Sequence, residues 1–269
     1  MTVEYVKVFG ERNTGTNFLN QFLNLNTTLT VLGHGKNDRC KERANKIYEA
    51  HRIKDAQVKR FIRERMIDAE REQEFSDNFG WKHSAPSLQK LMTSPRYNQT
   101  LFICLIRNPW RFLTSLHRRP YNLVPIPKDD FSNFIRSPFV ASAREGLDDT
   151  FLPDLVTLWN LKVGAYHRLH DQSNSNVLLV YYEELVIDVA PFVSRLSQFC
   201  EINHAAIQIP QDSTKKENKT YADYRAEVLE YNPLDTMSRE DASYIGQRLA
   251  KPTIEQSPYL ELYESCLSD

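Results

Sequence analysis

The chain has 269 residues, which suits one large domain or two small ones. Its net charge of −1 excludes a general electrostatic attraction to nucleic acid or to an anionic membrane. The four cysteines lie far apart, without the spacing of a zinc site or of a disulfide framework, so we expect no metal centre and a reducing compartment. The chain shows no apolar leader and no run of about 18 apolar residues, which predicts a cytoplasmic protein without a membrane span.

The predicted elements alternate between strands and helices. Strands are predicted at 3–9, 101–106 and 177–181, and helices at 16–25, 56–75, 110–117, 152–169, 191–200 and 239–249. This alternation predicts an α/β protein, a three-layer α/β/α arrangement with a mainly parallel central sheet. We expect one domain over 1–269, with a helical, basic insertion at 36–75 and a loop-rich region at 201–238. The basic insertion fits a solvated helix face as well as a binding surface.

The most motif-like segments follow the predicted strands. In a parallel sheet the ligand lies beyond the carboxyl ends of the strands. We therefore expect the segments 10–16, 107–109 and 181–184 to meet at one edge of the sheet.

Two glycines, Gly10 and Gly15, stand between the first strand and the first helix. Backbone N–H groups in such a loop bind phosphate at a helix N-terminus. The spacing is that of a P-loop, but Thr16 and Asn17 occupy the positions of its lysine and of its Mg²⁺-binding hydroxyl. The loop is therefore predicted to bind a phosphate without a metal, and a plain turn is the alternative.

A second motif begins at Arg107, at the end of a buried strand, where an arginine is costly unless it meets an anion. Ser115 follows about two helical turns later. Both side chains suit a second phosphate. Alternatively, Arg107 pairs with a carboxylate such as Glu183, and Ser115 packs in the core.

Taken together, these segments resemble the PAPS-dependent sulfotransferase superfamily. The loop ERNTGTNF is similar to its 5′-phosphosulfate loop, and LIRNPWRFLTSLHRRP is similar to its 3′-phosphate motif. GWKHSAP resembles the lysine–histidine segment between them, and VLLVYYEEL resembles the strand that ends in Tyr-Glu-Glu. The resemblance covers roughly 3–200 and is weak beyond that.

The resemblance implies a P-loop-like fold and a metal-independent enzyme. Such an enzyme moves a sulfuryl group from PAPS to a hydroxyl or amine of a carbohydrate, phenol or lipid, and releases PAP. Arg107 and Ser115 would hold the 3′-phosphate, and Tyr182 would lie near the adenine. The 5′-phosphosulfate would be held by Arg12, Asn13, Thr14, Gly15, Thr16 and Asn17. A late basic loop would close on the 3′-phosphate through Lys215, Lys216 or Lys219.

One position departs from the family pattern. Asn13 stands where many members have a lysine that stabilises the departing phosphate oxygen. We expect Arg12 and Lys82 to share that role. His83 is the first candidate for the base that takes the acceptor's proton, because imidazole titrates near neutral pH. His34, between two glycines, is the alternative.

Two other functions remain open from the sequence. A P-loop nucleotide kinase or hydrolase would need Mg²⁺ and the absent lysine. A non-catalytic module that binds a polyanion would use the basic segment and show steep salt dependence. We expect no nucleic-acid partner, and the acceptor and the oligomeric state stay open.

Overall fold

A computed structural model describes residues 3–33, 38–121, 123, 126, 129–173, 176–202, 204–211 and 219–267. Its strands are β1 (Tyr5–Gly10), β2 (Thr30–Val31), β3 (Thr100–Ile106), β4 (Phe139–Val140), β5 (Phe151–Leu152) and β6 (Val177–Tyr181). Its helices are α1 (Thr16–Asn26), α2 (Asp38–Ala50), α3 (Ala56–Gln73), α4 (Phe75–Asn78), α5 (Leu88–Leu91), α6 (Pro109–Arg118), α7 (Phe131–Arg136), α8 (Leu155–Gln172), α9 (Tyr182–Ile187), α10 (Ala190–Leu196), α11 (Tyr221–Leu229), α12 (Arg239–Arg248), α13 (Lys251–Glu255) and α14 (Leu260–Leu267).

The central sheet has the strand order β2-β1-β3-β6, and every pair in it is parallel. Gly10 of β1 lies opposite Leu105, and Ile106 of β3 lies opposite Tyr181. Three strands therefore end at the same edge, as the sequence predicts. A separate antiparallel pair, β4 and β5, stands outside this sheet.

The strands are buried on both faces because helices cover each side of the sheet. Along β3, Phe102 and Cys104 belong to one core, whereas Ile103 and Leu105 belong to the other. The first core is completed by α6, α8 and α12, and the second by α1, α9 and α10. This alternation confirms the predicted α/β/α arrangement with a mainly parallel sheet.

The segment from 36 to 75 contributes two helices, α2 and α3, which pack on each other. The Cys40 thiol of α2 donates to the Glu70 carboxylate of α3. Arg144 joins α3 to the rest of the chain through ion pairs with Glu64 and Asp68. In the later loop-rich region, the structure shows a regular helix, α11.

Helices also follow the last one predicted from the sequence, which corresponds to α12. The connection between α13 and α14 makes two contacts with the carboxyl edge of the sheet: the Tyr181 hydroxyl donates to the Gln256 carbonyl (3.0 Å), and the Tyr259 hydroxyl donates to Glu183 (2.6 Å). In α12 itself, the Ala242 carbonyl accepts from the Trp110 indole (3.0 Å). Across the residues described, no helix has both the length and the apolar character needed to cross a membrane.

Candidate active site

The loop between β1 and α1 follows the edge of the sheet and leads into a helix N-terminus. Asn13 and Gly15 both have left-handed backbones, with φ of 63° and 89°. Helix α1 begins without a side-chain cap and without an acidic residue in its first turn. Its first N–H groups and the positive end of its dipole therefore suit an anion.

Gly15 lies against the ring of Tyr182, the first residue of α9. A Cβ at Gly15 would stand 2.6 Å from two ring carbons of Tyr182, so no other residue fits there without a shift. On the same ring, the guanidinium carbon of Arg107 lies 4.8 Å from the centroid. The ends of β1, β3 and β6 therefore meet around one tyrosine.

A cavity of about 320 Å³, here the loop cavity, opens beside this loop. Among the described residues that line it, none is Asp or Glu. Its walls are the loop, the segment 81–83 and a group of aromatic side chains. They comprise Arg12, Asn13, Gly15, Thr16, Asn17, Phe18, Gln21, Trp81, Lys82, His83, Tyr121, Tyr182, Val186, Pro210, Gln211, Tyr221 and Tyr224.

Lys82 and His83 are held against the loop by hydrogen bonds with Gly10 and Asn17. The Gly10 N–H donates to the Lys82 carbonyl (2.9 Å), and the Lys82 ammonium donates to the Asn17 side-chain oxygen (2.5 Å). The Gly10 carbonyl lies 2.5 Å from Nδ1 of His83. Because a carbonyl only accepts, Nδ1 carries the proton, and Nε2 of the neutral ring carries the lone pair.

Burial, followed by the charges of Lys82 and Arg12, holds the pKa of His83 well below its usual range. Burial also lowers the pKa of Lys82. The segment thus presents a neutral imidazole beside a lysine.

Behind the loop lies a buried cluster of four charged residues: Glu11, Arg12, Glu145 and Lys162. Arg12 pairs with Glu11 (2.8 Å) and with Glu145. Lys162 pairs with Glu145 (2.7 Å), lies 3.4 Å from Glu11, and donates to the His83 carbonyl (2.5 Å). The formal charges of the four side chains cancel, which is the usual condition for burying ions.

The charges of this cluster shift the pKa values of its own members. Burial opposes the ionisation of Glu145, but Arg12 and Lys162 outweigh it and lower its pKa to about 2. Burial likewise disfavours the Arg12 cation, yet Glu145 and Glu11 raise its pKa. Arg12 therefore lines the loop cavity while its charge is balanced by two carboxylates.

A second cavity of about 340 Å³, here the arginine cavity, adjoins the first and shares Asn13 and Tyr224 with it. Of the lining residues that the structure describes, five are basic and three are acidic. The basic ones are Arg107, Arg111, Arg118, Arg119 and Lys219, and the acidic ones are Glu227, Glu230 and Asp235.

Glu183 anchors the two buried arginines of this cavity. Nε of Arg107 and Nε of Arg111 each lie 4.0 Å from one of its oxygens. Glu183 also accepts from the Tyr259 hydroxyl and from the Asn108 N–H. Arg107 thus pairs with Glu183, as the alternative interpretation holds, and still lines the cavity.

A family model described as "Sulfotransferase domain" matches residues 6–229. The chain belongs to the sulfotransferase family. One solved structure, "Sulfotransferase Domain from the Curacin Biosynthetic Pathway", is 14% identical and has a TM-score of 0.45, and the match covers 92% of this chain and 99% of that chain. No curated protein matches the sequence.

Most of the residues expected to form the site of this sulfotransferase line the two cavities. Asn13 and Ser115 both line the arginine cavity, and the Asn13 amide donates to the Ser115 carbonyl (3.3 Å). Thr14 belongs to the loop but is absent from the described lining of both cavities, and its buried hydroxyl donates to the Glu11 carbonyl (2.5 Å). Lys219 pairs with Glu227 at the edge of the arginine cavity. His34, Lys215 and Lys216 lie outside the described residues.

Sequence reasoning did not identify Glu145, Lys162 or Arg111. Lys162 had a signal, because it stands three residues after Trp159 and four before Tyr166 on the buried stripe of α8. Arg111 stands four residues after Arg107, in the first turn of α6. Glu145 follows no pattern that would separate it from a surface residue. Among the residues that the structure describes, no three His, Cys, Asp or Glu side chains gather as a metal site would.

Proposed function

We propose that this sulfotransferase takes its sulfuryl group from PAPS and transfers it in line to a hydroxyl or amine of an acceptor. The observation that carries the proposal is the pair of adjoining cavities at the carboxyl edge of the sheet, each suited to an anion by different means. PAPS carries two separate anionic groups, a 5′-phosphosulfate and a 3′-phosphate. A donor with one phosphate cluster, such as ATP, would need only one such cavity.

The loop cavity is assigned to the 5′-phosphosulfate. The N-terminus of α1 supplies backbone N–H groups, and no described lining residue supplies a repelling carboxylate. The aromatic residues of the same cavity, which include Phe18, Tyr182, Tyr221 and Tyr224, suit the flat adenine ring.

The arginine cavity is assigned to the 3′-phosphate. Arg107 provides a guanidinium whose fork matches phosphate oxygens, and Ser115 adds a hydroxyl from the second half of α6. Arg111 contributes a second guanidinium, fixed by its hydrogen bond to the Glu227 carbonyl (2.7 Å). Lys215 and Lys216 remain candidates for the closing loop.

Sulfuryl transfer places growing negative charge on the oxygen that leaves with PAP, by analogy with phosphoryl transfer. We assign its neutralisation mainly to Lys82, because its ammonium lies among the residues at the start of α1. Arg12 shares the role from the wall of the cavity, where its main contribution is to hold the loop through Glu11 and Glu145.

The acceptor must lose a proton as it attacks. Nε2 of His83 carries a lone pair because Nδ1 donates to Gly10, and the low pKa of His83 keeps the ring neutral at pH 7. Tyr121 lines the same cavity with an exposed ring and suits stacking on the ring of an acceptor, which carbohydrates and phenols both present.

The transfer is proposed to need no metal. A Mg²⁺ ion takes oxygen ligands, usually carboxylates together with substrate phosphates. The described lining of the loop cavity offers no carboxylate for that purpose. The position of the P-loop lysine holds Thr16, and the next position holds Asn17.

Calorimetric titration with PAP, with and without Mg²⁺ and alongside ATP, tests the donor site directly. We expect PAP to bind without Mg²⁺ and Arg107→Ala to weaken binding by about 100-fold, since losing a buried charge contact costs 2–5 kcal/mol. Arg63→Ala, an exposed arginine on α3, is the matched control and should bind like wild type. Binding of ATP that requires Mg²⁺, with none of PAP, would instead support a nucleotide kinase or hydrolase.

A further inference from the structure

Lys7 is a buried lysine that none of the roles above uses. It stands in the middle of β1, between β2 and β3, and is fully shielded from solvent. Its ammonium group donates to the backbone carbonyls of Asn78 and Gly80, the latter at 2.6 Å. Both contacts span more than 70 residues of sequence, so they are tertiary links rather than local ones.

The carbonyls that Lys7 holds belong to a turn with an unfavourable backbone. Phe79 and Gly80 are both left-handed, with φ of 59° and 71°. A left-handed conformation is rare for a bulky residue such as Phe79, and it persists only where the surroundings enforce it. The Asn78 side chain adds one more restraint by accepting from the Gly80 N–H (2.8 Å).

This turn leads directly into the segment that lines the loop cavity. Lys82 and His83 follow Gly80 by two and three residues. Gly10 makes a hydrogen bond with each of them, through its N–H to the Lys82 carbonyl and through its carbonyl to Nδ1 of His83. Lys7 and Gly10 lie on the same strand, about 10 Å apart. The segment 78–83 is therefore fastened to β1 at both ends, with Lys7 at the first and Gly10 at the second.

We propose that Lys7 is a positioning residue, which sets the places of Lys82 and His83 by holding the turn that precedes them. The proposal rests on the function proposed above, because it concerns the two residues assigned to leaving-group stabilisation and proton removal. Lys7 itself reaches neither cavity in the described lining and touches no reacting atom.

The chemistry of the buried amine supports this role. Burial, followed by the charges of Arg71 and Lys82, lowers the pKa of Lys7 to about 7, and Glu74 opposes the shift. A neutral amine still has two N–H groups, one for each carbonyl that it holds. Lys7 can therefore donate a hydrogen bond to each of the two turn carbonyls without requiring a carboxylate partner in the core.

The substitution Lys7→Met keeps the length of the side chain and removes its donors. Placing the two catalytic groups about 1 Å away from their positions costs about 100-fold in rate. We expect PAP release from PAPS, with water as the acceptor, to slow by about 10- to 100-fold. Affinity for PAP should change by less than about 3-fold, because the arginine cavity is untouched.

A double-mutant cycle separates positioning from general destabilisation. In a background that already carries Lys82→Met and His83→Gln, adding Lys7→Met should change PAP release by less than about 2-fold, because the groups that it positions are gone. Ile103→Val, on the neighbouring strand, serves as a core control and should act alike in both backgrounds. An equal loss from Lys7→Met in both backgrounds would overturn the proposal.

A second readout needs neither PAPS nor an acceptor. The imidazole signal of His83 in a proton NMR titration is identified by its loss in His83→Gln. In Lys7→Met we expect the pKa of His83 to rise towards 6.5, because the displaced ring gains solvent and burial is the largest cause of its low pKa; this gain outweighs the loss of the Gly10 hydrogen bond, which itself raises the pKa. If Lys7→Met does not fold, Lys7→Gln retains N–H donors and should give a smaller shift in the same direction.

These readouts distinguish the two proposals. Absence of PAP binding by wild type would contradict the proposed donor, yet the His83 titration would still test Lys7. An unchanged His83 pKa in a folded Lys7 variant would refute the positioning role, whatever the donor is.

Discussion

The loop cavity and the arginine cavity adjoin each other and both suit anions, but they offer an anion different chemical groups. In the arginine cavity, guanidinium groups are fixed by stacking, Arg107 on Tyr182 and Arg111 on Tyr231, each at 4.8 Å from the ring centroid. In the loop cavity, the main donors are backbone N–H groups and Lys82. The cations behind its wall are balanced by buried carboxylates.

This difference suits a phosphate of constant charge in the arginine cavity and a phosphosulfate in the loop cavity, whose bridging oxygen gains charge only in the transition state. A phosphate that stays charged throughout the reaction is well matched by fixed arginines. A charge that appears only in the transition state is better met by preorganised dipoles and one cation, because those do not bind the ground state equally tightly. The arginine cavity should therefore govern affinity for the donor, and the loop cavity should govern the rate.

Replacing the proposed base should have the largest effect on rate. His83→Gln removes the lone pair that accepts the acceptor's proton, and PAP release from PAPS should fall by about 10²- to 10⁴-fold. Affinity for PAP should stay near wild type in calorimetry. An equally large loss of PAP affinity would contradict the assignment of rate to the loop cavity and of affinity to the arginine cavity.

The pH dependence of the rate is an independent test of the role of His83. Burial lowers the pKa of His83, so the ring is neutral and active at pH 7 and becomes protonated only well below pH 6.5. The rate should therefore stay level from about pH 8 to below pH 6.5. It should then fall at lower pH in wild type, and this fall should be absent from His83→Gln. A fall that begins above pH 7 would contradict the assignment.

Among these substitutions, one in the charge cluster behind the loop cavity should lower the stability of the protein most. Glu145→Gln breaks a buried ion pair, so we expect a loss of about 3–5 kcal/mol in the free energy of unfolding, measured with urea. The pKa of Glu145 is lowered from 4.5 to about 2. Its stabilising contribution is therefore complete above pH 4.5 and is lost as the pH falls towards 2. Glu240→Gln, at an exposed carboxylate, is the control and should change little.

Lys82 should affect rate more than affinity. Lys82→Met removes the cation assigned to the leaving oxygen, and PAP release should fall by about 10²- to 10³-fold. The dissociation constant of PAP should change much less, because the N–H groups of α1 remain. Lys90→Met, at an exposed lysine paired with Glu72, should leave both quantities unchanged. A loss in affinity as large as the loss in rate would contradict a role specific to the transition state.

Ser115 should show the opposite pattern with the smallest effect. Ser115→Ala removes one hydroxyl from the arginine cavity, and a hydrogen bond to a charged group is worth about 1.5–3 kcal/mol. We expect PAP to bind about 10- to 100-fold more weakly, while the rate at saturating PAPS stays the same. Ser197→Ala, in an exposed turn, is the control. A fall in the saturated rate would place Ser115 in the transfer step.

The parts of the site that the sequence predicts are those that lie close together along the chain. The loop at 10–17 and the motif from Arg107 to Ser115 each combine a strand end with a helix start, so a local pattern singles out each of them, and both contribute residues to the cavities. Strand β6 has the predicted bounds of 177 and 181. The matched registers of β1, β3 and β6 then bring these segments together, as the rule for parallel sheets requires.

The parts that were missed depend on contacts between distant segments. Glu145 becomes a member of the site only because the chain returns from β4 to lie beside Arg12, 133 residues earlier. Lys7 looks like the polar residue of an alternating strand, yet helices cover both faces of the sheet and bury it. Such roles follow from tertiary packing, which alternation and spacing in one sequence do not encode.

The matched family region ends at 229, whereas the folded unit does not. Trp110 beside Ala242, Tyr181 beside Gln256 and Glu183 beside Tyr259 all join the carboxyl edge of the sheet to later helices. A recombinant fragment cut at the family boundary would expose the buried indole of Trp110 and remove one donor from the carboxylate that anchors the arginine cavity. Such a fragment should aggregate, so expression trials need to retain the chain at least to 267.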